Sequence, residues 1–218
     1  MKGAMVRGAV VRGCIGVAIL AMFVSSAEAQ SGLMVRGFAD VGAKTFTANE
    51  SFDAVLGKSG GMVFGGGGEI VLPQRIFVGV RMSRFRETGE RVFLFEDEVF
   101  RLGIPVTLTI TPVELTGGYR FDFGQRLVPF AGGGVGWHRY QESSEFATDE
   151  ENVDERHTGY HLLGGVELRV ARWLGIGGEA QWTTVRDALG ADPNGAAAHF
   201  GESDLGGTTF RVKIVLGR

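Results

Sequence analysis

The chain has 218 residues, with 22 basic and 25 acidic side chains, a formal net charge of −3, one cysteine and 36 glycines. The weakly acidic balance argues against nucleic acid as a partner, and a lone cysteine leaves nothing for an internal disulfide framework. After Val24 no run reaches the ~18 consecutive apolar residues of a helical membrane span.

At the amino terminus Lys2, Arg7 and Arg12 precede an apolar run from Cys14 to Val24, and Ser25-Ser26-Ala27-Glu28-Ala29 supplies the small residues of a cleavage site. This predicts a cleaved signal peptide over 1–29 and one exported domain over 30–218. The apolar run is too short for an anchor, which needs ~20 residues. Cys14 stands before most of that run instead of after it, which argues against lipidation. Cleavage leaves 189 residues (218 − 29), and the net charge becomes −5 as basic residues fall from 22 to 19 and acidic ones from 25 to 24. Of those 19 basic residues 16 are arginine, whose planar fork suits enclosed pairing with carboxylates.

The exported part alternates with period two, the signature of strands with one apolar and one polar face. Leu33–Phe46 opens the series with Arg36, Asp40 and Lys44 on one face. Ser51–Leu56 then reads as a short capped helical turn. In the second strand Met62, Phe64, Ile70 and Leu72 oppose Val63 and Glu69. Across Pro73–Arg75, Ile76, Val78, Val80 and Met82 oppose Phe77, Gly79, Arg81 and Ser83. Val113–Phe121 sets Glu114 and Arg120 against Val113, Leu115, Tyr119 and Phe121. Val128–Tyr140 follows a polar turn at 122–126, its facing blurred by glycine. His157–Val170 has the cleanest alternation and carries Glu167 and Arg169 on its polar face. Ala171-Arg172 leads into Leu174–Thr183 with Glu179, and Thr208–Leu216 ends the series with Arg211 and Lys213.

Long links at 47–60, 87–101, 141–156 and 184–204 alternate with short ones at 73–75, 122–126 and 171–172. Eight strands with alternating link lengths fit an all-β, eight-stranded antiparallel up-and-down transmembrane β-barrel, with short periplasmic turns and longer external loops. Glycines inside the strands, as in Leu163-Gly164-Gly165 and Ile176-Gly177-Gly178, suit a narrow closure. Gly65–Gly68 is not a phosphate loop, since no Gly-Lys-Ser/Thr or helix start follows.

In a membrane barrel the polar face points inward. The expected lumen charge network is Arg36, Asp40, Glu69, Arg81, Glu114, Arg120, Glu167, Arg169, Glu179, Arg211 and Lys213, roughly balanced in sign, as enclosed charges must be. A soluble lipocalin-like ligand-binding barrel inverts the two faces and is the structural competitor. Segments such as Pro112–Phe121 and Val128–Trp137, with the leader and the eight alternating strands, make the exported chain resemble small outer-membrane barrels of the OmpA, OmpX and OmpW kind. That resemblance implies outer-membrane localisation, lipid and lipopolysaccharide as surroundings, and the outer-membrane assembly machinery as a partner. Barrels of that kind usually end in an aromatic residue, whereas this sequence reads Val215-Leu216-Gly217-Arg218, with Phe210 the candidate substitute.

The sharper sites are weak. His157 and His161 share a face, but four residues along a strand span ~13 Å, too far to chelate one ion. The acidic run Glu142–Glu155 lacks calcium-loop spacing and reads as a solvated loop. Ser143, Ser144, His138 and His157 cluster near one loop base, yet no nucleophile motif surrounds either serine, so neither catalysis nor a metal or cofactor is expected. The expected role is an envelope or interaction barrel with exposed loops and a narrow or closed lumen. The alternatives are a narrow channel for small hydrophobic or ionic solutes, or a lipid-modifying enzyme.

Overall fold

The computed structural model describes residues 32–95, 98–121, 124, 126–144, 153–190 and 195–217. The expected leader at 1–29 and the centre of the acidic run, 145–152, lie outside them. Eight strands, β1 (Met34–Phe46), β2 (Gly60–Val71), β3 (Ile76–Phe95), β4 (Glu98–Arg120), β5 (Leu127–Ser143), β6 (Val153–Arg169), β7 (Leu174–Thr184) and β8 (Gly207–Gly217), each pair antiparallel with their neighbours in chain order. β8 pairs with β1 and closes the barrel. Two short helices, α1 (Asn49–Leu56) and α2 (Ala196–Phe200), lie in the first and last long links.

The apolar face points out and the charged face in. Val78, Val80, Met82, Leu115, Leu162, Val166, Val212 and Ile214 are exposed, while Arg36, Asp40, Glu69, Arg81, Glu114, Glu167, Glu179 and Arg211 are buried. This is the inverse of a lipocalin-like barrel, and closure leaves no strand edge unpaired in the hydrocarbon. Trp137, Tyr160, Trp182, Phe64 and Phe210 ring one end of the apolar band, and Tyr119 and Phe121 mark the other. Along β5 the band from Leu127 to Trp137 covers about eleven residues, the length of a tilted membrane strand.

Register places opposite charges directly across from one another at four seams: Arg36 opposite Glu69, Asp40 opposite Lys213, Arg81 opposite Glu114, and Glu179 opposite Arg211. A slip of one residue would turn every charge into lipid, so these pairs and the apolar exterior specify the same register. Glycine makes room for the rings that fill the half of the barrel nearer the short turns. A Cβ on Gly118 would lie 2.5 Å from the Phe77 ring and 2.4 Å from the Ala131 carbonyl, and one on Gly165 would lie 2.6 Å from Phe130.

Two expectations change. The described residues within 87–101 are strand: β3 as far as Phe95 and β4 from Glu98 continue as a two-stranded ribbon whose last pair is Phe95 with Glu98, with an irregularity between Glu90 and Val92. The alternating, β-branched and aromatic sequence there carries the pairing beyond the bilayer. The helical turn expected at Ser51 starts earlier, at Asn49, so Ser51 lies inside the helix and is not its cap.

Candidate functional site: a layered lumen and an outer cup

The lumen is layered. Nearest the periplasmic turns, Arg36 bridges Glu69 at 3.2 Å and Glu167 at 2.5 Å, and Arg120 bridges the same two carboxylates at 3.2 and 2.6 Å. This four-membered ring joins β1, β2, β4 and β6 across the interior. Val71, Phe77, Phe130 and Leu163 pack around it.

The middle layer centres on Glu179. Arg81 donates to both of its oxygens at 2.6 and 3.0 Å, and Lys213 donates at 3.2 Å. Asp40 lies 3.3 Å from Arg81 and 3.7 Å from Arg211. The Gln181 amide oxygen accepts from Arg81 and Arg211, while its NH₂ donates to Glu114 at 2.6 Å and to Thr183 at 3.0 Å. His161 stands 2.8 Å from the Thr116 hydroxyl. Lys213 also sits 4.0 Å from the Phe130 ring centroid, a cation–π contact. The two gaps within these layers are each about 20 Å³, room for a single water.

Ten of the eleven expected network residues therefore lie buried in one connected interior. Arg169 does not join them. It occupies the last position of β6, at the open periplasmic mouth, where it is exposed with Arg126 and Arg172 around a concavity of about 730 Å³. Inward parity is not enclosure once the strand has left the barrel. Sequence reasoning left out Lys44, His138, Gln181 and Thr116, all buried inside. Lys44 carried a signal, sharing the face of Arg36 and Asp40, but uncharged Gln181 gave none.

Above the charged layers apolar side chains fill the lumen. Phe46 stacks on Phe52 of α1 with ring centroids 3.8 Å apart and meets Phe85 edge-on at 5.0 Å. Val63, Leu108, Ile110, Tyr140, Val185 and Leu205 complete the plug. Over it, α1 and the segment carrying α2 wall a cavity of about 370 Å³. Glu202, just past α2, accepts from the backbone N–H groups of Glu50 at 3.2 Å and Ser51 at 2.8 Å and from the Ser51 hydroxyl at 2.5 Å. It supplies the cap that Ala48, at the N-cap position, cannot. Asp204 pins the base of the same link, accepting from Val185 N–H and Gly206 N–H and from the Thr184 hydroxyl, each at 2.7 Å.

Of the expected serine–histidine cluster, Ser143 is exposed at the end of β5, whereas His138 is 1% exposed inside the lumen. His157 faces Glu155 at 3.0 Å. Among the described residues no group of three or more His, Cys, Asp or Glu could hold a metal ion.

A closed eight-stranded barrel with a lipid-compatible exterior and an ionic interior is a transmembrane barrel of the outer-membrane class. The chain belongs to the outer membrane protein beta-barrel domain family, whose pattern it matches over residues 17–216. No curated protein matches the sequence. Among solved structures it is similar to Neisserial surface protein A, with 12% identity, TM-score 0.49, and 87% of this chain and 97% of that one covered. The N-terminal barrel domain of Pseudomonas aeruginosa OprF gives 10%, 0.47, 84% and 97%. Ail, the attachment invasion locus protein of Yersinia pestis, gives 12%, 0.43, 86% and 97%.

Proposed function

We propose that residues 1–29 are a cleaved export signal and that residues 30–218 form a non-conducting outer-membrane barrel, whose role is to hold a structured outer surface at the cell exterior. The observation that carries this reading is the double seal of the lumen, an ion-pair ring spanning β1 to β6 followed by an apolar plug centred on Phe46 and Phe52. A solute would have to break buried ion pairs, at several kcal/mol each, before meeting an apolar layer. Outer-membrane lipid, lipopolysaccharide and the assembly machinery are the partners this reading implies.

Planar-bilayer recording tests the proposal. The purified barrel should give no reproducible conductance steps, and removing the seal with Phe46→Ala/Phe52→Ala/Glu167→Ala should raise leak. Reproducible channels from the unaltered protein would overturn the closed-lumen reading. Mass spectrometry of lipid A from expressing cells should show unchanged species.

A further inference from the structure

The cavity above the plug is a built pocket, at the low end of the ~300–1,000 Å³ typical of small-ligand sites. Phe52 and Val55 of α1, Leu108 of β4, Val153 of β6 and Leu189 form its apolar walls. Its polar groups are concentrated on β5 and β6. The Tyr140 hydroxyl donates to the Glu142 carboxylate, and Glu155, directly across the strand pair from Tyr140, brings a second carboxylate to the same lining. Among the described residues lining the cavity none is Lys or Arg. The His157 ring stands 3.0 Å from Glu155, and Arg139 is turned to the outer face, where it holds Asp154.

From this arrangement we infer that the outer cup binds a small cationic amphiphile, an alkylammonium-type molecule whose tail lies between α1 and β4 and whose charged head meets Glu142 and Glu155. The apolar walls supply a tail site from which water is displaced. Two carboxylates at one end repel a fatty-acid or phosphate head and attract an ammonium. The Tyr140 ring adds a π face beside them, suited to an alkylated ammonium that cannot use many hydrogen bonds. Glu202 fixes α1 over the cavity, so this wall is held in place before a ligand arrives. This site lies above the seal and does not depend on whether the lumen conducts.

The test is calorimetric titration of the full exported chain in zwitterionic nanodiscs with n-octyltrimethylammonium, n-octanol and octanoate, with empty nanodiscs as blanks. The expected result is one octyltrimethylammonium per barrel, bound at least about tenfold tighter than octanoate. Glu142→Gln/Glu155→Gln should weaken the ammonium about tenfold and leave octanol unchanged. Ala197→Phe and, independently, Leu189→Trp should fill the cavity and remove binding of all three. Heat-modifiable gel migration confirms that each variant is folded. Octanoate binding as tightly as the ammonium, an unaltered ammonium affinity in the double glutamine variant, or full binding in a folded filled-cavity variant would each overturn the assignment.

Discussion

Glu202 and Ser51 are 151 residues apart in the chain, yet the Glu202 carboxylate accepts both the Ser51 N–H at 2.8 Å and its hydroxyl at 2.5 Å. The first and last long links are thereby tied into one structure over the mouth of the barrel. The tie also places a negative charge at the N-terminus of α1, where the helix dipole favours it.

Glu202→Ala should release α1 without unfolding the strands. The loss of a charge-assisted cap corresponds to roughly 1–2 kcal/mol. Hydrogen exchange of the Ser51–Leu56 amides should accelerate about tenfold or more, while β1 and β8 amides keep their protection. Uniform acceleration across the barrel would show that the contact is not local.

The ion-pair ring predicts an asymmetry between breaking and replacing it. Glu167→Ala leaves Arg36 and Arg120 sharing Glu69 alone in an enclosed layer, and should cost about 3–5 kcal/mol. The joint replacement Arg36→Met/Glu69→Leu/Arg120→Met/Glu167→Leu removes both signs together and should be close to neutral or stabilising by about 1–4 kcal/mol. Urea unfolding in lipid vesicles, followed by fluorescence of lipid-facing Trp137 and Trp182, reads both. A quadruple variant less stable than the single one would refute the desolvation account.

The facing of these strands was legible because membrane and lumen impose opposite demands on successive residues. On β6 the alternation separates Leu162, Val166 and Leu168 from His161 and Glu167, and burial of the polar face distinguishes a membrane barrel from its lipocalin-like inverse. Partner choice was not legible. That Glu167 meets Arg36 and Arg120 across the lumen depends on strand register and barrel curvature, neither of which is local. The ribbon at 87–101 was read as a loop because charges at Glu87, Glu90, Arg91 and Arg101 are as compatible with a water-exposed strand pair as with a coil. The outer cup was not visible at all, since α1, β4 and the segment around α2 come together only after closure.

Gly118 tests the packing of rings against backbone. Any side chain there meets the Phe77 ring at 2.5 Å and the Ala131 carbonyl at 2.4 Å, and the carbonyl cannot move without opening the β4–β5 seam. Gly118→Val should therefore abolish the heat-modifiable folded form. Gly117→Val, one residue away on the lipid face with open space around it, should leave that form intact.

Outside the bilayer, Arg139 grips Asp154 with two hydrogen bonds, at 2.8 and 2.5 Å, and holds its carboxyl below the ordinary aspartate range. A lowered folded-state value means the pair contributes above the unfolded pKa and is lost as pH falls through the folded one. The effect on global stability is small because both side chains are exposed to solvent. The carbon-13 titration of the Asp154 carboxyl should have a low midpoint that moves up in Arg139→Ala, and an unmoved midpoint would dissociate the two.

The outer face of β6 gives a depth scale, because Leu162, Tyr160, Thr158 and Arg156 succeed one another from the lipid band into water. Leu162 is 63% exposed on the lipid side, and Thr158 pairs with Trp137 in the aromatic ring. An arginine at the bilayer midplane costs about 2–4 kcal/mol, falling to about 0–1 near the interface. Leu162→Arg should thus lower unfolding stability in vesicles by a few kcal/mol, and Thr158→Arg by less than about 1. The ordering follows from membrane depth alone, since both positions face away from the lumen and neither touches the ion-pair layers. In a water-soluble barrel both substitutions would be nearly silent, so equal and small effects would contradict the placement of this face in lipid.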